Sequence, residues 1–339
     1  MPEHDIIVIG ASAGGVEALI MLTGTLPSNW TAAVFIVLHV PAQSPSLLPD
    51  ILNRSGRLNV VNATDNADIE YGHIYVAPPD FHLLVEREHM RVVSGPRENR
   101  HRPAIDPLFR SAAAAYGPRV TGVILTGSLD DGTAGLQEIK RCGGLAIVQD
   151  PQNALFPSMP LSALANVQVD FTLPLAEIGP LLGRLSYESS GEESTITVDE
   201  EMKKELRLEQ MNPALMHTNE RRGKPSVYSC PDCGGVLWEI EDDSILRFRC
   251  RVGHAFSIES MFAGQSESVE NALWVALKNL QENADFTRRL VQHARTHGHS
   301  MLAQRYETRL REVNKHIEVI ANILKNSNQH ESSVVEMDV

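Results

Sequence analysis

Two groups of residues have types and spacing suited to chemistry. The first is Gly10-Ala11-Ser12-Ala13-Gly14, where an apolar run ends in a serine flanked by small residues. The pattern G-x-S-x-G suits a tight strand-to-helix turn that exposes a nucleophilic hydroxyl at the C-terminal edge of a sheet. A helix starting near Gly14 would aim its free N–H groups and positive dipole end at the same spot, favouring a developing oxyanion. The same serine could instead only cap that helix. The second group is Cys230-x-x-Cys233, sixteen residues, then Cys250-x-x-x-His254. Three thiols and an imidazole so spaced suit tetrahedral Zn²⁺, and four protein ligands close the shell, so a structural rather than catalytic zinc is expected.

A nucleophilic serine needs a base and a carboxylate, brought to it in space rather than in sequence. His39 ends the apolar run 32–39, and Asp130 and Asp131 follow the run 120–127 within TGSLDDGTAG. Taken singly, the histidine could be structural and either aspartate a helix cap. Together they fall where open α/β sheets put their sites, at the C-terminal ends of strands. A dinucleotide-binding turn is disfavoured, because Ser12 stands where the backbone needs its second glycine, and no Walker lysine is present. Cys142, near a helix end and beside Gly143-Gly144, reads as a buried structural thiol.

The elements that would position these residues can be read from the hydrophobic pattern. Runs rich in Val and Ile at 6–10, 32–39, 73–78, 120–127 and 145–150 are apolar on both faces, as in a buried parallel sheet. Helical patterns at 16–23, 106–116, 133–141 and 162–166 lie between them. The expected fold is α/β, a doubly wound, mostly parallel sheet with helices on both faces over residues 1–188. HLLVER and HMRVVSG (82–95) break the rhythm and read as a small antiparallel extension. A polar, acidic linker is expected over 189–222, with a short helix in MKKELRLEQM, then a compact zinc-ribbon-like module over 223–262 whose hairpin turns at 242–244. Leu273, Leu277, Leu280, Ala284, Val291 and Ala294, and then Tyr306, Leu310, Val313, Ile317, Ile320 and Leu324, form two heptad-like stripes broken at His297-Gly298-His299. They predict a helical hairpin or self-associating coiled coil over 265–326, ahead of a disordered tail at 327–339.

Composition narrows the function classes. The 339 residues have 42% hydrophobic content, and no stretch is long and apolar enough for a membrane span. The N-terminus lacks the basic region of a signal peptide, so a cytoplasmic protein without membrane insertion is expected. Thirty basic against 43 acidic residues give a net charge of -13, which argues against nucleic-acid binding.

Several strings together, IGASAGG, LHVP, YVAPPDFHL, NRHRPAIDPLF and VILTGSLDDGTAG, are specific in order and spacing. Over its first 185 or so residues the chain resembles the catalytic domain of the chemotaxis protein-glutamate methylesterases, the CheB family. The resemblance implies Ser12 as nucleophile, His39 as base and Asp131 as the orienting carboxylate, with oxyanion donors at the backbone N–H groups of Ala13 and Ser128. It implies hydrolysis of glutamate methyl esters on a methylated chemoreceptor to glutamate and methanol, glutamine deamidation in some members, and no cofactor for catalysis. It also favours Arg100 and Arg102 as substrate-binding cations over a merely solvated charge run. Asp130 and Leu129 depart from the asparagine and glycine usual there, which keeps open a second reading, a weakly catalytic or non-catalytic signalling scaffold. Because the resemblance begins near residue 6, the receiver domain that usually precedes it in the family is not expected in this chain. The zinc module and helices are therefore candidates to dock a receptor, a methyltransferase or a second copy of the chain.

Overall fold

The computed structural model describes residues 3–190, 200–210, 223–242 and 245–337. Seven strands form one parallel sheet: β1 (Ile6–Ala11), β2 (Ala33–Leu38), β3 (Asn59–Asn62), β4 (His73–Val76), β7 (Val120–Ile124), β8 (Leu145–Gln149) and β9 (Phe171–Leu173), in the spatial order β3-β4-β2-β1-β7-β8-β9. Between β4 and β7, β5 (His82–Val85) and β6 (Met90–Val93) pair antiparallel as the expected extension.

The period of two explains why β1 is apolar throughout. Ile6 and Val8 pack into one core, whereas Ile7, Ile9 and Ala11 pack into the other. Helices α3 (Ile105–Tyr116), α4 (Thr133–Arg141) and α5 (Ser158–Asn166) supply Leu108, Phe109, Leu136, Ile139 and Met159 to the first core. Helices α1 (Gly15–Thr25), α2 (Leu48–Ser55) and α6 (Leu175–Leu185) supply Leu19, Leu22, Leu52, Ile178 and Leu182 to the second. Burying both faces is what turns an apolar run into a central strand, and each such side chain contributes roughly 1.5–3 kcal/mol.

Within the residues expected to form a linker, the short helix expected in MKKELRLEQM is present as α7 (Glu200–Glu209), and one side of it is buried rather than solvated. Its Met202, Glu205 and Glu209 are buried. The rest of that stretch, 191–199 and 211–222, lies outside the described residues, as does the hairpin turn at 243–244. Strands β10 (Lys224–Ser229), β11 (Val236–Asp242), β12 (Ile245–Cys250) and β13 (Ala255–Ser257) make a four-stranded antiparallel sheet. This ribbon does not stand apart: residues Met1–Met261 form one compact unit.

A buried ionic cluster joins its parts. Arg110 of α3 meets Glu98, Glu205 and Glu209, while Arg247 pairs with Glu205 and Arg249 with Glu98. Burial raises Glu209 to about 7 against the pull of Arg110, whereas Glu205 is held well below the carboxylate range by Arg247 and Arg110 despite its burial.

Phe262–Val339 form a second compact unit. Helix Ile258–Thr296 enters it, and after the break at His297-Gly298-His299 helix Ser300–Met337 follows, extending through most of the stretch expected as a disordered tail. Leu277, Ala284, Val291 and Ala294, then Val313 and Leu324, are the stripe positions that become buried.

Candidate active site

Ser12 follows the last residue of β1, the central strand of the sheet. Its N–H donates to the Thr126 carbonyl (3.0 Å), and its own carbonyl accepts from Gly15 N–H (2.9 Å), so the turn is pinned on both sides. Gly14 makes the turn with φ 70°, left-handed backbone that suits glycine, and caps α1. Gly127 is needed for a different reason. A Cβ there would lie 2.9 Å from Ser12 Cβ and 2.0 Å from Met159 Sδ, so only glycine lets the loop after β7 close on the serine.

His39 follows β2 and has its ring between two partners. Nδ1 accepts from Ser12 Oγ at 3.1 Å, and Nε2–H donates to Asp131 Oδ2 at 2.7 Å. Asp131, in the loop between β7 and α4, is 2% exposed. Oδ2 also accepts from Ile105 N–H (2.7 Å), and Oδ1 accepts from Asn99 Nδ2 (2.9 Å), Gly132 N–H (3.0 Å) and Asp106 N–H (3.3 Å). Burial alone would push this carboxyl up, but His39 and these donors hold it well below the usual carboxylate range. Its neighbour Asp106 goes the other way, raised well above the ordinary value by burial and by the Asp131 charge. Negative charge therefore settles on the carboxylate that faces the imidazole.

The structure thus brings Ser12, His39 and Asp131 together at the C-terminal edge of the sheet. Ala13 lies at the same edge, and Ser128 follows Gly127 beside the serine. Among the described residues neither the Ala13 nor the Ser128 N–H has a hydrogen-bond partner. A cleft of about 490 Å³ opens over Ser12 and His39 and is lined by Arg97, Arg100, His101 and Arg102. Arg102 is tied to Asp80 (2.7 Å) and to the Gly95 carbonyl (2.7 Å).

Asp130 is drawn away from the cleft: its Oδ1 accepts from Ser257 Oγ at 2.6 Å. Burial raises it to about 7, with Glu259 and Asp131 adding to the rise and the Ser257 hydrogen bond opposing it. Leu129 has φ 62°, so this loop takes the left-handed turn that a glycine would take, at a cost of roughly 1–2 kcal/mol to a branched side chain.

Sequence reasoning missed two further residues of the site although it singled out their string, NRHRP. The His101 ring stacks on His39, with centroids 3.7 Å apart and planes 9° from parallel. Burial, and then the nearby His39 charge, lower His101 to about 3, so it stays a neutral platform. Asn99 reaches Asp131 from behind. Only the arginines of the string carried a signal, because an asparagine's role depends on what packs against it.

In the ribbon, the donor atoms of Cys230, Cys233, Cys250 and His254 all lie within 4.8 Å of one another. Cys233 and Cys250 Sγ are 3.7 Å apart, and His254 Nδ1 is 3.7 Å from Cys230 Sγ and 3.6 Å from Cys250 Sγ. A tetrahedron with metal–sulfur bonds of about 2.3 Å has sulfur–sulfur edges of about 3.8 Å and slightly shorter sulfur–nitrogen edges. Spacing and donor chemistry are thus compatible with structural zinc. Cys142 is not part of this cluster; it is half-buried rather than fully buried as expected, because it packs against the α/β core with one side only.

Residues 7–182 match the family model described as CheB methylesterase. A Leptospira interrogans protein provisionally named protein-glutamate methylesterase/protein-glutamine glutaminase is 42% identical over 184 residues, 54% of this chain and 95% of that protein. The protein-glutamate methylesterase/protein-glutamine glutaminase of Hydrogenovibrio crunogenus is 38% identical over 52% of this chain, which spans 48% of that longer relative. Among solved structures, the Thermotoga maritima CheB methylesterase catalytic domain superposes with a TM-score of 0.51 at 33% identity, covering 53% of this chain and 98% of that one.

Proposed function

The chain belongs to the CheB methylesterase family, and from that premise we propose that it is a protein-glutamate methylesterase acting through Ser12, His39 and Asp131. The observation that carries the assignment of residues is the continuous run of hydrogen bonds from Ser12 Oγ through His39 to Asp131, with the serine open to a cleft. His39 Nδ1 takes the Ser12 proton as Oγ attacks the ester carbonyl, and Asp131 stabilises the imidazolium that forms. The tetrahedral oxyanion sits against the Ala13 and Ser128 N–H groups and the N-terminus of α1. His39 then protonates the departing methanol, leaving an acyl-Ser12, and a water activated by the same imidazole releases glutamate. Ammonia leaving from a glutamine amide follows the same course, which makes deamidation a companion activity.

The protein substrate is a methylated chemoreceptor. Arg97, Arg100 and Arg102 put positive charge on the rim of the cleft of an otherwise acidic protein, where they favour an acidic helical segment. Cys230, Cys233, Cys250 and His254 hold a structural Zn²⁺, which supplies no chemistry to ester cleavage and fixes the turns of the ribbon. Unit Phe262–Val339 serves association, either with a methyltransferase or with a second copy, and the site of action is the cytoplasm.

The test is methanol release from a methylated chemoreceptor by the full chain. Ser12→Ala is expected to lower the rate by about 10⁴-fold or more without changing the unfolding temperature. Turnover retained in that variant rejects the assignment.

A further inference from the structure

Asn99 joins the ribbon to the carboxylate of the site. Its backbone lies beside β13: Asn99 N–H donates to the Ala255 carbonyl (2.8 Å), and Ala255 N–H donates to the Arg97 carbonyl (3.2 Å). Its side chain is buried, 4% exposed, with both ends fully engaged. Nδ2 donates to Asp131 Oδ1 (2.9 Å) and Asp106 Oδ2 (2.9 Å). Oδ1 accepts from Ser257 N–H (2.9 Å) and from Ser260 Oγ (3.0 Å).

We propose that Ser257, Ser260 and Asn99 form a positioning relay through which the junction between the ribbon and helix Ile258–Thr296 orients Asp131. This rests on the reading of Asp131 as the carboxylate that supports His39.

Ser257 Oγ–H goes to Asp130 at 2.6 Å, and its lone pair accepts Ser260 N–H at 3.0 Å. The Ser260 hydroxyl, 0% exposed, is within reach of Asn99 Oδ1 (3.0 Å), Ser257 Oγ (2.9 Å) and the Ser257 carbonyl (3.3 Å), and the relay assigns its proton to Asn99. Two donors at one end and two carboxyls at the other permit a single orientation of the carboxamide. A flipped amide would set NH₂ against N–H and O–H donors and its carbonyl against the ionised Asp131, both at a buried side chain. Asn99 also needs its backbone held, because φ is 49°, in the left-handed region. The β13 pairing supplies that. The relay therefore ends on one of the oxygens that fix the Asp131 plane, whose other oxygen holds the His39 ring against Ser12. None of these residues touches the cleft, so each acts through Asp131.

The experiment compares Asn99→Gly, Ser260→Ala and the double variant in the full chain. Glycine accepts the left-handed backbone, and alanine is close in volume to serine, so both variants are suited to fold. Three quantities are read: methanol release from a methylated chemoreceptor, the rate at which a fluorophosphonate labels Ser12, and the low-field proton resonance of the His39–Asp131 hydrogen bond. Asn99→Gly is expected to lower kcat and the labelling rate by about tenfold with KM unchanged, and Ser260→Ala by about threefold. The double variant should be no slower than Asn99→Gly alone, because Ser260 has nothing to orient once the amide is gone. The resonance should broaden in each variant.

Losses that multiply in the double variant, or a Ser260→Ala chain that labels and resonates like the wild type, would overturn the relay. A wild-type chain that labels at Ser12 yet releases no methanol overturns the methylesterase reading alone, and the labelling rates then decide the relay by themselves.

Discussion

At the residue scale, Asp130 and Asp131 are consecutive, yet their surroundings push them in opposite directions. Asp131 collects the His39 imidazole and four N–H donors and stays ionised. Asp130 has one hydroxyl donor, from Ser257, and burial raises it to about 7. The linkage follows directly. The unfolded chain gives up this proton near pH 4 and the folded chain keeps it until near pH 7, so stability falls as pH rises through that window and is level above it. Asp130→Asn removes the titration and still accepts the Ser257 hydrogen bond through its amide oxygen. The variant should match the wild type near pH 4 and exceed it by on the order of 1–3 kcal/mol at pH 8, read from urea unfolding at the two pH values. An identical pH dependence in the two proteins would contradict it. Ser12, His39 and Asp131 were legible because each follows an apolar strand, and a parallel sheet brings such positions to one edge. Ser257 and Ser260 were not legible, since no local pattern announces that a serine 158 or 161 positions along the chain will meet Asn99.

At the scale of elements, the central strands were legible because both faces are apolar, and the edges were not. In β3 only Val60 is buried, and β9 has three residues with none fully buried, so neither carries a periodic signal. Helix α6 was hidden by Pro180 in its interior, and α2 by its length of eight residues. The ribbon was legible from its cysteine spacing, but its attachment was not. Charged residues read as solvated when their partners lie far away in sequence, and Arg110, Arg247 and Arg249 are instead buried against three glutamates. Arg110→Ala strands Glu209 and takes one of two arginine partners from Glu98 and from Glu205, and should destabilise the fold by about 3–5 kcal/mol, measured by denaturant unfolding. The ribbon's own apolar core is small, built on Leu237, Phe248, Phe256 and Met261 beside two of the cysteines. The structural zinc proposed for the Cys230, Cys233, Cys250 and His254 cluster would carry much of its stability. Treating the protein with a strong chelator should strip hydrogen-exchange protection from the β10–β13 amides while β1, β2 and β7 remain protected. Full protection of the ribbon after chelation would show that it needs no metal.

At the scale of the whole molecule, the dependence of the site on distant sequence sets where the chain can be cut. The family model ends at residue 182, which suggests an autonomous catalytic domain. The side-chain contacts argue against autonomy here. Arg110 finds two of its three glutamates on α7, Asn99 is held by β13 and Ser260, and Asp130 is held by Ser257. All of these lie within Met1–Met261, as do Ser12, His39 and Asp131. A chain ending at Met261 keeps every one of these partners, so its rate of Ser12 labelling by a fluorophosphonate should stay within about twofold of the full protein. A chain ending at residue 190 buries Arg110 with Glu98 as its remaining glutamate partner and takes the Ser257 and Ser260 donors from the Asn99 amide oxygen. It should lose several kcal/mol of stability, as expected when a buried charge loses partners, and label more slowly even under conditions where it is folded. Equal labelling and equal unfolding midpoints for the two truncations would mean that α7 and the ribbon contribute nothing to the site, and that the ion cluster is a packing feature without consequence for Ser12.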